Sequence, residues 1–300
     1  MTTAIKISLG PVLYYWEKSM FFDFYQKVKN LPVDVVYLGE TVCSKRRALK
    51  LEEWLKIAEE LTEAGKQVVL STLTLIEAEA ELKTLKRLCQ QNNFMVEAND
   101  MAAVQLLSNK KPFVAGSAIN IYNPKTLSFL MKNGMKRWVF PVELSKQTIS
   151  ECIAGVTDEL ELEVLGYGRI PLAYSARCFT ARAHNVPKDD CQFLCLDDIH
   201  GKNLATQEDR SFLTINGIQT QSAQVLNLID EIPSMIELGV DYFRISPDYK
   251  NITSVVDVVH QCIQQSCNQT NEQFDHLKQT APHGFCNGFW KSQAGLEFYQ

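Results

Sequence analysis

The feature that most constrains this chain is an alternation kept up over most of its 300 residues. Short apolar runs recur, and a longer segment with apolar residues at helical spacing follows each one. Ile5–Leu9 reads as a first strand ending at Gly10-Pro11, and Trp16–Lys29 as its helix, with Phe21, Phe24, Tyr25 and Val28 on one face. The pattern repeats with strands at Val33–Leu38, Gln67–Leu70, Phe94–Val96, Phe113–Ala115, Trp138–Phe140, Leu160–Leu165 and Tyr242–Ile245. The matching helices are Lys50–Ala64, Leu75–Asn92, the stretch to Leu107, Pro124 to Asn133, Ser145–Ala154, Val225–Leu238 and Ile252–Gln265. Eight strand–helix units predict an α/β fold, a (β/α)8 TIM-barrel-like structure or a distorted relative of one. An open doubly wound sheet is the alternative. Residues 1–300 read as a single domain.

Composition narrows the function classes. With 46% hydrophobic and 22% charged residues the chain has enough apolar content for a full core. A net charge of −5, with both signs interspersed, argues against a general grip on nucleic acid. No apolar run approaches the about 20 residues that span a bilayer, and the N-terminus lacks the apolar core of a signal peptide. The expected location is the cytoplasm, where nine cysteines do not form a disulfide framework.

One interval breaks the alternation. Between the seventh strand and its helix lie residues 166–224, and a loop of that length inside a compact domain is usually functional. Its first half carries Cys178, Cys191 and Cys195 together with Arg177, Arg182, His184 and Pro187. So polar and Pro-bearing a segment is expected to be neither one helix nor one strand. A small hairpin is expected further on, pairing Gln192–Cys195 with Phe212–Ile215. In a barrel the loops after the strands share one face. Cys43, just past strand two, can therefore meet the trio from strand seven. Four thiolates suit an iron–sulfur cluster or a tetrahedral zinc ion, although the spacing matches no common zinc knuckle. Cys89, Cys152 and Cys262 sit among apolar helical neighbours and read as core, and Cys267 and Cys286 read as incidental. The tail, 268–300, has no assignment.

Other polar residues fall at or near strand ends. Glu40, Glu97, Asn99, Asn120 and Glu143 are candidates to line the barrel mouth, with helix capping an equal reading for Asn99. Arg169 and Arg177 can offset the charge of a thiolate centre or grip an anionic substrate. Ser175 has no evident His–Asp partners, so no hydrolytic triad can be named. His184, His200 and His283 read as solvated or supporting groups. No catalytic residue is assigned.

The stretch Leu162–Cys178 resembles the signature of the peptidase U32 family. Glu163, Gly168, Tyr174, Ser175, Arg177 and Cys178 match it, whereas Tyr167 replaces a His, Pro171 a Cys and Ala176 a Gly. Loss of that cysteine alongside an early Cys43 is similar to one branch of the family, which acts in O2-independent ubiquinone biosynthesis. The resemblance implies a [4Fe-4S] cluster on Cys43, Cys178, Cys191 and Cys195. It further implies a heterodimer with a sister, UbiU-like U32 protein, and a shared role in hydroxylating the ring of a ubiquinone precursor. A metal-stabilised accessory subunit without a redox role is the alternative reading, as is a U32-type peptidase or RNA-modifying enzyme.

Overall fold

The computed structural model describes residues 5–156, 159–265 and 268–299. Seven strand–helix units follow one another: β1 (Lys6–Leu9), α1 (Lys18–Val28), β2 (Val35–Leu38), α2 (Leu51–Glu63), β3 (Gln67–Ser71), α3 (Glu79–Gln90), β4 (Met95–Ala98), α4 (Met101–Leu107), β5 (Phe113–Ala115), α5 (Pro124–Lys132), β6 (Met135–Val139), α6 (Lys146–Ile153), β7 (Glu161–Tyr174) and α7 (Phe179–Ala183). Then come β8 (Lys202–Ala205), β9 (Ser211–Asn216), β10 (Gln219–Asn227), α8 (Ile232–Leu238), β11 (Tyr242–Ile245), α9 (Ile252–Gln265), α10 (Asn271–Lys278) and β12 (Phe285–Cys286). Strands β1 to β7 pair in sequence order and in parallel. β11 pairs in parallel with both β7 and β1, which closes an eight-stranded barrel.

Strands in a closed barrel are buried on both faces, which explains why they read as continuous apolar runs. All four residues of β2 are buried. Val35 and Tyr37 join Val69, Val114, Val139 and Tyr242 in an inner cluster, while Val36 and Leu38 belong to the larger core beneath the helices. The helices start where the chain supplies caps. Asp100 accepts from the Ala102 amide, Asn123 from Thr126 and Ser145 from Thr148; each such cap contributes about 1 kcal/mol.

Three expectations need correction. Strand seven does not stop at Leu165 but continues through Pro171 to Tyr174. Beyond the barrel it pairs antiparallel with β10, and the ladder shifts register around the Gln221–Pro171 pair. A proline has no N–H to give a ladder, so it is tolerated at such an irregularity. Second, the expected hairpin between 192–195 and 212–215 does not form. Residues Leu194–Leu196 make a single 3-10 turn, and β9 pairs instead with β8 and β10. Third, the helix expected from Val225 begins only at Ile232, since Gln219–Asn227 is strand. The tail supplies α10 and β12, the latter adding to β10. Cys89, Cys152, Cys262 and Cys286 are buried, and Cys267 lies outside the described residues.

Candidate thiol centre and barrel mouth

The antiparallel extension β7–β10–β9 stands on the barrel and carries the cysteine segment. Cys178 follows the end of β7 and caps α7, its Sγ accepting from the Ala181 amide at 3.4 Å. The Phe179 amide donates to Gly217 O at 2.9 Å and the Ser175 amide to Ile218 O at 3.0 Å, so the β9–β10 turn fixes where Cys178 sits. Cys191 closes a short 3-10 turn, and Gln192 and Phe193 follow with φ of 50° and 55°. Two successive left-handed residues without a glycine cost about 1 kcal/mol or more each and mark a segment held by its surroundings. Phe193 packs against Tyr15 with the rings tilted, 5.8 Å between centroids.

Cys43 arrives from the other side. Glu40 accepts from the Val42 and Cys43 amides at 2.8 and 3.0 Å, shaping the loop after β2. Lys45 then bonds Asp189 at 2.8 Å, tying that loop to the turn before Cys191. Cys43, Cys178, Cys191 and Cys195 all line one cavity of about 320 Å³, open solvent included. All four thiols are free and partly buried. Among the described residues no three His, Cys, Asp or Glu side chains are gathered in a way that would hold a single metal ion.

The sequence reading overlooked Arg46. It is 5% exposed and lines the same cavity. Its Nη1 donates to Leu13 O at 2.8 Å and its Nη2 to Asn216 Oδ1 at 2.7 Å. Asn216 in turn donates to Leu13 O and to Gln219 Oε1, at 2.8 and 2.9 Å. Gly217 has φ +67°, and a Cβ there would meet Arg46 Nη2 at 2.9 Å, so the turn needs glycine for space as well as for conformation. Burial pushes the Cys43 and Cys195 thiols up, and Arg46 works against that shift in both. Burial also opposes the charge of Arg46 itself, but Glu40 and Cys195 outweigh it and hold the guanidinium charged. The Asn216-Gly217 dipeptide is the local signal that was available, being a frequent hairpin turn. Arg177, by contrast, is exposed and does not line the cavity.

A second cavity lies at the barrel mouth. Leu13 and Tyr174 line it and also belong to the apolar cluster against which Cys43 and Cys178 pack. Of the mouth candidates, Glu97 and Asn99 line this cavity, whereas Glu40, Asn120 and Glu143 do not; Arg169 lines it too. Asn99 is no cap. It turns inward, donating to Thr72 O at 3.0 Å and to Glu97 at 3.2 Å, and Asp100 caps α4 instead. Under the mouth sits a buried charge network. Arg244 bonds Glu163 at 2.7 Å and Glu97 at 2.8 Å, and Arg137 reaches Glu161 at 2.8 Å and Glu163 at 3.5 Å. Tyr37 donates to Glu163 and lies under the Arg244 guanidinium, 4.0 Å from ring centroid to carbon. Burial opposes the charge of Glu163, but Arg244 and Arg137 win and hold its carboxyl below the ordinary 4.5.

The remaining candidates serve elsewhere. His200 pairs with Asp248 at 2.9 Å, and His184 faces Lys202 at 3.4 Å. Ser175 Oγ accepts from the Arg177 amide at 3.1 Å. Among the described residues no helix is long and apolar enough to cross a membrane.

Comparison with known proteins finds partial similarities. The tRNA hydroxylation protein P1 of Bacillus subtilis is 28% identical over 200 residues, which are 59% of this chain and 45% of that protein. The chain therefore spans less than half the length of that relative. Among solved structures, a U32 peptidase is 11% identical with a TM-score of 0.45, covering 82% of this chain and 94% of its own. An N-acetylneuraminate lyase from Aliivibrio salmonicida is 9% identical with a TM-score of 0.48, covering 93% and 80%. The model of peptidase family U32 matches residues 24–298, a span that holds all four cavity thiols, and the chain belongs to that family.

Proposed function

We propose that this chain is an iron–sulfur protein of the UbiV branch of the U32 family. In this reading Cys43, Cys178, Cys191 and Cys195 hold a [4Fe-4S] cluster. The protein acts with a UbiU-like U32 partner in O2-independent hydroxylation of a ubiquinone-precursor ring. The observation that carries the proposal is the convergence of four free thiols, from two distant segments, on one cavity.

The donor set fits such a group. Four thiolates are the usual ligands of a cubane cluster, which spreads them over four irons. Arg46 supports the fit: its Nε has no hydrogen-bond partner among the described residues, and its guanidinium would offset thiolate charge. When bound, a cluster with all four corners ligated by protein supplies one-electron transfer and offers no open iron to a substrate. The chain's own part is to seat the sulfurs, wall them with Phe193, and hold Arg46 beside them. Hydroxylation chemistry then belongs to the complex with the partner.

The name of the B. subtilis relative favours a hydroxylation role. It also raises a second reading, in which the substrate is an RNA. The net charge of −5 weighs against that reading.

The test is anaerobic purification with iron and sulfide assays and a visible spectrum. About four irons and four sulfides per chain are expected, falling on replacement of any one of the four cysteines by Ala. A colourless, zinc-loaded protein would overturn the redox reading. Ring hydroxylation persisting in a Cys191→Ala strain would overturn the functional one.

A further inference from the structure

The barrel mouth carries its own unsatisfied chemistry. Arg244 is 8% exposed, lines the mouth cavity, and has no hydrogen-bond partner for its Nη2 among the described residues. Thr41 is 2% exposed and lines the same cavity, and its Oγ1 is likewise unpartnered. An unmet buried donor costs about 1–3 kcal/mol, so two of them in one cavity point to a ligand that satisfies both.

The sign of that ligand follows from the charges. Only Glu97, Arg169 and Arg244 among the lining residues are charged. Glu97 is spent: one oxygen takes Arg244 Nη1 at 2.8 Å, and the other takes Ser71 Oγ at 2.6 Å and Asn99 Nδ2 at 3.2 Å. Below the mouth, Arg244 and Arg137 are engaged by three carboxylates, Glu97, Glu161 and Glu163. Arg169 stands outside that network. It donates to Tyr14 Oη and His200 O, and no carboxylate pairs with it among the described residues. Asp248, which shares a neighbouring cavity with Arg169, is engaged by His200 and by the Lys250 and Asn251 amides.

We infer that the barrel mouth binds a small organic anion whose carboxylate or phosphate group is held by Arg244 Nη2 and Arg169, with the Thr41 hydroxyl as a further donor. The site is separate from the thiol cavity and does not depend on a cluster there. Leu13 and Tyr174, which line the mouth cavity, pack in the same apolar cluster as Cys43 and Cys178.

The experiment is calorimetric titration of the purified protein, at fixed ionic strength, with succinate, benzoate and inorganic phosphate. Thr41→Val and Arg169→Gln are the variants, because both leave the Arg244 ion pairs intact. Saturable binding of a carboxylate probe or of phosphate is expected, and which of the two binds identifies the group. Each variant should weaken it about tenfold or more, while Thr41→Val leaves the unliganded melting temperature unchanged or raised. No saturable binding of any probe would overturn the inference, as would affinity undiminished in both variants. Iron and sulfide measured on the same samples keep its failure distinct from failure of the cluster reading.

Discussion

Arg46 donates to Asn216 across 2.7 Å, and this bond clamps two segments 170 residues apart against one wall of the thiol cavity. Asn216 also satisfies Leu13 O and Gln219 Oε1. Asn216→Ala would strand a buried guanidinium N–H, while Leu13 O and Gln219 Oε1 would each lose one of two donors. A loss of about 2–4 kcal/mol is expected, read as a lower urea midpoint with an unchanged slope. A loss under about 1 kcal/mol would show that the clamp contributes little.

Arg46→Lys tests what the guanidinium does for the centre itself. Lysine keeps the charge but cannot maintain the forked bonds to Leu13 and Asn216 while turning a donor towards sulfur. Hydrogen bonds to cluster sulfur raise its reduction potential. In the proposed holoprotein the midpoint should therefore fall, with iron content retained. An unmoved midpoint would mean that Arg46 only props the wall.

The barrel was legible in the sequence because two-sided burial writes itself as apolar runs, as in Val35–Leu38 and Phe113–Ala115. The thiol cavity was legible because parallel topology delivers the loops after β2 and β7 to one end. Strand β7 beyond Gly166 was not, since Arg169, Pro171 and Tyr174 break the apolar pattern while long-range pairing with β10 supplies the order. Buried arginines are hidden for the same reason. Arg46, Arg137 and Arg244 look like surface residues in a linear reading, and only partners from 24 to 170 positions away make their burial tolerable.

Glu163 makes acid stability predictable. Its carboxyl lies below the ordinary 4.5 in the folded chain, so the unfolded chain binds the proton more readily. Stability from this group is complete above about pH 4.5 and is lost as pH falls through the folded value. Urea midpoints measured from pH 7 downward should hold and then drop. Glu163→Gln should flatten that drop and lower stability at neutral pH by about 3–5 kcal/mol, because Arg244 and Arg137 keep their buried charge.

Gly168 sits where β7 leaves the barrel, with φ +130°. A Cβ there would meet Ser246 Cβ at 2.4 Å, just past the end of β11 and on the rim of the mouth. Gly168→Ala therefore adds a clash to an unfavourable backbone conformation, and a cost of about 3 kcal/mol or more is expected. Gly239 is the control. Its φ is +82°, but a Cβ there would have nothing within 4 Å, so Gly239→Ala should cost only about 1–2 kcal/mol. The difference between the two, measured by urea unfolding, isolates the crowding between β7 and Ser246. Equal losses would mean that this part of the mouth yields to an added methyl.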